Sequence, residues 1–252
     1  MDILFLEKQL IGTEVDKPIS GAMAGHAAGE PFDKHVEDLL KERSDNVYRQ
    51  YEYLNSLYQS NLTHKTVVER HSLINKKSVG FLLNRGKDTT KEWSSSNIFE
   101  EKQNDTADIL IEEDGFFQIL DVKTRNLGKK AQAPNIISAL KLAEVCKIML
   151  ETNEFNAFDI TYIGIEWELS GSKLVCKNAY IKELFKCPPE NLYINWSAAL
   201  QIQFHVDQLS QAYEGNMKEW AIQYLRHFVS KAKTRIRKME TDWIDKYDIT
   251  QD

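Results

Sequence analysis

The sequence predicts an α/β fold: a sheet built from hairpins, a strongly apolar helix packed on it, and a long amphipathic helix at the C-terminus. Three observations predict it. First, the runs ADILI and FQILDVK flank Asp114-Gly115, a dipeptide strongly favoured in two-residue hairpin turns, and FDITYIGIEWEL and KLVCKNAYI read as a second hairpin around Gly171. Second, residues 135–152, NIISALKLAEVCKIMLET, read as a helix apolar nearly all round, except for a stripe of Ser138, Lys141, Glu144, Lys147 and Glu151. Third, Asn216 with Glu219 three residues on matches a capping-box pattern, and Trp220, Tyr224, Phe228, Ala232, Ile236, Met239 and Trp243 then hold one face of a helix over 216–247.

The first hairpin carries the chemistry. With a loop of residues 114 and 115, counting back along the antiparallel pair puts Asp108 directly across from Asp121. Facing side chains of such a pair have Cβ atoms roughly 4.5 to 5.5 Å apart, and like charges that close destabilise a sheet. Protonation of one acid, a nearby cationic side chain or a divalent cation can offset the repulsion. Side chains alternate along a strand, so Lys123 shares the face of Asp121 while Val122 points away into a core. Two acids for a hard metal with an ammonium beside them suit phosphodiester hydrolysis. The plainer alternative is an Asp121–Lys123 ion pair at a strand end with Asp108 capping a turn, and a three- or four-residue loop would shift the register altogether.

Composition narrows the class. The chain has 252 residues and 42% hydrophobic content, enough for a substantial core in one domain over 1–252. No apolar run approaches the length of a membrane span, and the acids in MDILFLEKQL are unlike a signal peptide, so a cytoplasmic location is expected. Cys146, Cys176 and Cys187 lack C-x-x-C spacing and read as buried thiols. The net charge of −6, from 32 basic against 38 acidic residues, argues against a nonspecific polyanion binder. Local patches must therefore make any contact with DNA.

Taken in order, residues 1–29 read as an arm leading into the glycine-rich loop SGAMAGHAAGEPF, which lacks the Gly-Lys-Ser/Thr of a phosphate-binding loop. Glu30 and Pro31 begin a helix on which Phe32, Val36, Leu39 and Leu40 recur at helical spacing. Residues 45–100 read as mainly helical, ending in a polar stretch whose Arg85 and Lys87 suit phosphate contact or solvent equally. After the first hairpin, Arg125, Lys129 and Lys130 form a basic cluster beside the paired acids. Beyond it, Gln132 and Asn135 carry amides able to pair bidentately with adenine, or to cap a helix in a polar loop. YINWSAALQIQFHV reads as a strand that alternates Gln201, Gln203 and His205 with Ile202, Phe204 and Val206. Tyr193 and Asn195 share one face by the same alternation, for base contact or solvent, and His205 reads as structural. The basic remainder of the last helix, including Arg226, Lys231, Lys233 and Arg235, suits solvent, DNA backbone or a dimer contact.

EEKQNDTADIL, LDVKTRN, AQAPNIISA, LYINW and QIQFHV, with GHAAGEPF and WAIQYLRHFV, closely resemble the HincII/HindII-type restriction endonucleases, in order from about Ser20 to about Lys231. The resemblance implies the PD-(D/E)xK nuclease fold of the EcoRV-like branch, a mixed central sheet flanked by helices, working as a homodimer on palindromic double-stranded DNA. It implies Asp108, Asp121 and Lys123 as catalytic residues, with Mg2+ held by Asp108, Asp121 and the Val122 carbonyl. Ala107 stands where the broad superfamily has Pro, a departure this type shares. It further implies Lys87, Gln103, Thr124, Arg125, Lys129, Lys130, Gln132, Ala133, Asn135, Tyr193 and Asn195 as DNA-binding residues. Among these, Asn135, Tyr193 and Asn195 lie near the bases and Gln132 acts as an intercalating or stacking wedge. The family's site is GTYRAC, cut bluntly at a flexible central pyrimidine-purine step, in a bacterium whose companion DNA methyltransferase protects the same site. Two other readings remain: a repair or recombination nuclease that cuts by structure, and a DNA-binding relative that does not cleave.

Overall fold

The computed structural model describes residues 1–18, 26–58, 74–86, 105–130, 132–197 and 200–248, and for 26–28 and 55–58 the backbone alone. In chain order the described strands are β1 (Glu14–Asp16), β2 (Val47–Tyr48), β3 (Ile109–Glu113), β4 (Phe116–Asn126), β5 (Asn135–Ser138), β6 (Phe158–Ser170), β7 (Lys173–Glu183), β8 (Ile194–Asn195) and β9 (Gln201–Gln203). The helices are α1 (Phe5–Leu10), α2 (His26–Lys41), α3 (Gln50–Tyr58), α4 (Lys77–Leu83), α5 (Ala139–Thr152) and α6 (Met217–Met239). Six strands form one sheet in the order β1-β7-β6-β4-β3-β2, and β5-β9-β8 form a smaller one. All pairings are antiparallel except β4 with β6. The larger sheet is therefore mixed, flanked by helices, with a long C-terminal helix, as the resemblance implies.

Asp114 and Gly115 both take positive φ, 52° and 78°, the geometry that a two-residue hairpin needs and that favours glycine. Ile109 consequently pairs with Leu120 and Glu113 with Phe116. The counted register holds from the Glu113/Phe116 pair to the Ile109/Leu120 pair, but the ladder stops there: Asp108 N donates to Leu120 O and does not pair with Asp121. Side-chain alternation then sorts β4 between two cores. Phe117 and Ile119 pack with Leu142, Val145 and Met149 of α5 and with Trp220 and Tyr224 of α6. Leu120 and Val122 pack with Leu6 and Leu10 of α1 and with Phe32 and Val36 of α2. Each of these fully buried side chains stabilises the fold by roughly 1.5–3 kcal/mol. The second hairpin also forms as expected, turning at Gly171.

Several expectations need correction. The arm expected at the N-terminus is, in its described residues 1–18, packed on the domain: α1 buries Leu6 and Leu10 in the core and β1 adds an edge to β7, while residues 19–25, at the start of the glycine-rich loop, lie outside the described residues. Pro31 does not open a helix; α2 already begins at His26, and proline near its N-terminal end forfeits an intrahelical hydrogen bond. The described part of 45–100 includes β2, which pairs with β3. Residues 135–138 are strand, and the helix starts only at Ala139, because Ser138 Oγ caps it by accepting from Lys141 N. The stretch 193–206 is two short strands, and His205 precedes a 3-10 turn. The last helix is capped by Asn216 Oδ1 accepting from Glu219 N at 2.9 Å, and helical turns continue to Tyr247. Its apolar face is packed at Trp220 and Tyr224 but exposed at Ile236 and Trp243.

Two tyrosines tie the smaller sheet and the start of α5 to the rest. Tyr162 of β6 donates to Ile136 O at 3.3 Å, and Tyr224 of α6 donates to Ala139 O at 2.9 Å. Gly164, on the same face of β6 as Tyr162, lets Val206 come so near that a Cβ there would meet it at 2.7 Å. The three cysteines are buried thiols. Among the described residues no helix is long and apolar enough to cross a membrane.

Candidate active site

Asp108 lies one residue before β3, where the ladder ends, and its backbone N–H still donates to Leu120 O at 3.0 Å. Beyond that point Val122 N has no strand partner on this side, and Asp108 Oδ2 accepts its hydrogen at 2.8 Å. The carboxylate is thereby fixed beside Asp121. The N–H and C=O of a strand residue point toward the same neighbour, so the Val122 carbonyl also faces Asp108. Lys123 Nζ donates to Asp121 Oδ1 at 2.6 Å. Both features of the plainer reading, the ion pair and the capping acid, are present, and they hold all three functional groups at one point. That point opens into a cleft of about 940 Å³.

Electrostatics distinguish this cluster from a structural ion pair. Burial pushes the Asp121 carboxyl well above the usual carboxylate range; Asp108 adds to the shift, and Lys123 only partly offsets it. Burial disfavours the Lys123 ammonium, yet Asp121 and Asp108 outweigh it and hold its pKa above the ordinary lysine value. Burial sets the first direction and the two acids set the second: with two acids facing one ammonium the site carries surplus negative charge, which a proton on Asp121 neutralises. Among the described residues no three His, Cys, Asp or Glu side chains gather as a cation site. Two carboxylates and a carbonyl nevertheless suit Mg2+, which retains several waters and takes one or two protein carboxylates.

Of the residues expected to contact DNA, Thr124 and Asn135 line this cleft. Thr124 packs against α2, where a Cβ on Gly29 would meet its Oγ1 at 3.2 Å. Arg125 is engaged: its Nη1 pairs with Glu166 Oε1 at 2.9 Å, and Glu166 also accepts from Asn178 Nδ2 at 2.8 Å. Lys129, Lys130 and Gln132 are exposed, Ala133 is half-buried, and Asn135 is exposed on the cleft wall. Tyr193 is 60% exposed, and Asn195 is half-buried beside Gln203. Lys87 and Gln103 lie outside the described residues.

The model of the family described as restriction endonuclease HincII matches residues 6–249. The chain belongs to the HincII restriction endonuclease family. It is 53% identical over 239 residues to the type II restriction enzyme HindII of Haemophilus influenzae, covering 94% of this chain and 91% of that one. To the type II restriction enzyme HincII of Haemophilus influenzae it is 52% identical with the same coverage. A solved structure of the NlaIV restriction endonuclease aligns with 93% of this chain and 87% of its own at 10% identity and a TM-score of 0.37.

This HincII-family cleft has walls that pattern reading missed. Gln50, 2% exposed, accepts from the N–H groups of Thr106 and Ala107, both at 3.1 Å, and donates to Leu83 O at 3.0 Å and Asp105 Oδ1 at 3.2 Å. It clamps the segment leading into Asp108. Arg85 Nε pairs with Asp105 Oδ1 at 2.7 Å. Lys141 turns inward from the polar stripe of α5 to donate to Thr106 Oγ1 at 3.1 Å, and burial lowers its pKa. Asp33 of α2 is close enough to help hold the Lys123 ammonium. Arg85 and Lys141 stood out in the sequence, though not as cleft walls; Asp105 and Thr106 did not, although they stand immediately before Ala107-Asp108, and nothing local signalled Gln50.

Proposed function

We propose that this chain hydrolyses double-stranded DNA at GTYRAC, cutting centrally to leave blunt ends with 5′-phosphates, as a Mg2+-dependent type II site-specific deoxyribonuclease. The observation that carries the reading is Asp108, fixed by Val122 N, beside Asp121, whose Oδ1 accepts from Lys123 Nζ at 2.6 Å, in a cleft of about 940 Å³. Asp108, Asp121 and the Val122 carbonyl would hold Mg2+, which when bound supplies Lewis acidity at the phosphate and activates a water.

The chain's own groups do the rest. Lys123 Nζ, held as an ammonium by Asp121 and Asp108, orients the attacking water and donates to phosphoryl oxygens as charge develops on them. Asp121, drawn toward protonation by burial, would have to be ionised to serve as a ligand. In-line displacement then leaves a 3′-hydroxyl on one side of the cut. Lys129 and Lys130, exposed beside the cleft, neutralise flanking phosphates; Lys87, Gln103, Thr124 and Arg125 act near the backbone or site. Gln132 and Ala133 lie against the base step, and Asn135, Tyr193 and Asn195 meet base edges.

A palindromic site calls for twofold symmetry, and the functional unit is a homodimer. In the bacterial cytoplasm a companion methyltransferase protects the same sequence. The test is incubation of the pure protein with a sequenced linear phage DNA and Mg2+, beside Asp121→Ala, with the ends mapped. Blunt ends at GTYRAC, absent with the variant, are expected. Discrete ends at another palindrome discard the site but keep the reaction, and sequence-specific binding without cleavage discards the reaction.

A further inference from the structure

The smaller sheet carries three amide side chains in a row, and their hydrogen bonds run in one direction. Ser197 N donates to Asn195 Oδ1 at 2.9 Å. A backbone N–H is a donor and nothing else, so this contact fixes which end of the Asn195 amide is oxygen. Asn195 Nδ2 consequently faces Gln203 and donates to its Oε1 at 2.6 Å. Gln203 in turn has its Nε2 toward Asn135 and donates to Asn135 Oδ1 at 2.6 Å. Each amide is oriented by the one before it. Asn135 is left with its Nδ2 pointing away from the row, on the exposed wall of the cleft that contains Asp121 and Lys123.

We propose that Gln203 is a positioning residue for sequence discrimination: it fixes Asn135 as a hydrogen-bond donor to a base. The inference rests on the reading of Asn135 as a base contact. Gln203 itself need not touch DNA. It acts as a relay that carries the polarity set by Ser197 N across β8, β9 and β5. In the major groove a donor at this point favours the acceptor edges of guanine, or O4 of thymine or N7 of adenine, over the N4 amino group of cytosine. An unanchored asparagine would rotate and offer either end, because an amide presents a donor and an acceptor of nearly the same shape. Two charge-bearing replacements then predict the same reversal by different routes. In Gln203→Glu the carboxylate accepts from both neighbours, so Asn135 must turn its Nδ2 inward and present oxygen to the groove. In Asn135→Asp one carboxylate oxygen accepts from Gln203 Nε2 and the other faces the groove.

The experiment compares the full-length protein with both variants on duplexes in which each symmetric pair of positions of the cut palindrome is changed in turn. Competition binding in EDTA and cleavage in Mg2+ are both read. Gln203→Glu and Asn135→Asp should each lose about tenfold in discrimination at one and the same pair of positions. Both should move there toward a base that offers a donor, while the ranking elsewhere is kept. A uniform loss on every duplex with Gln203→Glu, beside a positional change with Asn135→Asp, overturns the relay and leaves the reading of Asn135 standing. No positional change with Asn135→Asp overturns that reading, and the relay with it. If thermal melting shows that Gln203→Glu does not fold, Gln203→Met, which removes both hydrogen bonds at similar length, must relax discrimination at that one position; unchanged discrimination there overturns the relay as well.

Discussion

The two regions proposed to serve cutting and discrimination solve opposite problems. Around Asp108, Asp121 and Lys123 the chain concentrates like charge under low exposure and holds one acid away from its ordinary protonation state. Across the cleft, Asn195, Gln203 and Asn135 are neutral, half-buried or exposed, and joined head to tail by two 2.6 Å hydrogen bonds. The first region derives its chemistry from incomplete compensation, since surplus negative charge invites a cation. The second derives its use from complete compensation, since an amide with every inward group paired has one group left, of one defined kind. Hydrolysis needs a poised charge, and discrimination needs a fixed polarity.

The contrast can be broken most severely at Lys123. Lys123→Met should lower cleavage by about a hundredfold to a thousandfold while leaving the ranking of duplexes in EDTA unchanged; a changed ranking would mean that the two regions are not separable. Next in size is Gln50→Leu, which strands the buried N–H groups of Thr106 and Ala107 behind Asp108. It should cost about 3 kcal/mol in urea denaturation and reduce cleavage beyond what the lost folded fraction explains.

A pH titration sharpens the charge side of the comparison. The folded protein holds a proton on Asp121 more tightly than the unfolded chain does. Stability from this group is therefore fully present below the ordinary carboxylate pKa and is lost as pH rises through the raised folded value. In EDTA the melting temperature of the wild type should fall over that window; Asp121→Asn should flatten the fall, and Mg2+ at neutral pH should raise melting in the wild type alone. Equal slopes for both proteins would remove Asp121 as the cause. The smallest effect is expected from Tyr162→Phe, which deletes the hydroxyl joining the larger sheet to Ile136. It should cost about 1 kcal/mol and blur duplex ranking more than it slows cutting of the best site.

The sequence was most informative where local chemistry dictates geometry. Asp114-Gly115 demands positive φ at both positions, and that turn alone sets which residues face each other across the hairpin. The second hairpin and the Asn216 cap were legible for similar reasons. Residues 135–138 were misread because NIIS runs without a break into a helical pattern, while what makes it a strand is Gln201–Gln203, distant along the chain. The edge strand β1 was hidden in the same way by its partner in β7. Lys141 belonged to a recognisable polar stripe, but periodicity does not say whether a polar side chain meets water or a cleft; Glu144 and Lys147 of that stripe are about half exposed, whereas Lys141 reaches Thr106.

The position of β4 between β3 and β6 has a consequence for how the molecule comes together. Asp108 and Val122, 14 positions apart, can meet through a local turn on the microsecond scale typical of hairpins. Asn135 and Gln203 are 68 positions apart, and closing so long a loop is slower and entropically dearer. Yet the hairpin by itself leaves Asp121 open to water, because the other side of β4 is covered only when β6 arrives by way of α5. The raised protonation of Asp121 requires the burial that β6 completes, so the charge state of the proposed site depends on long-range assembly of the domain and not on the hairpin that brings the acids together.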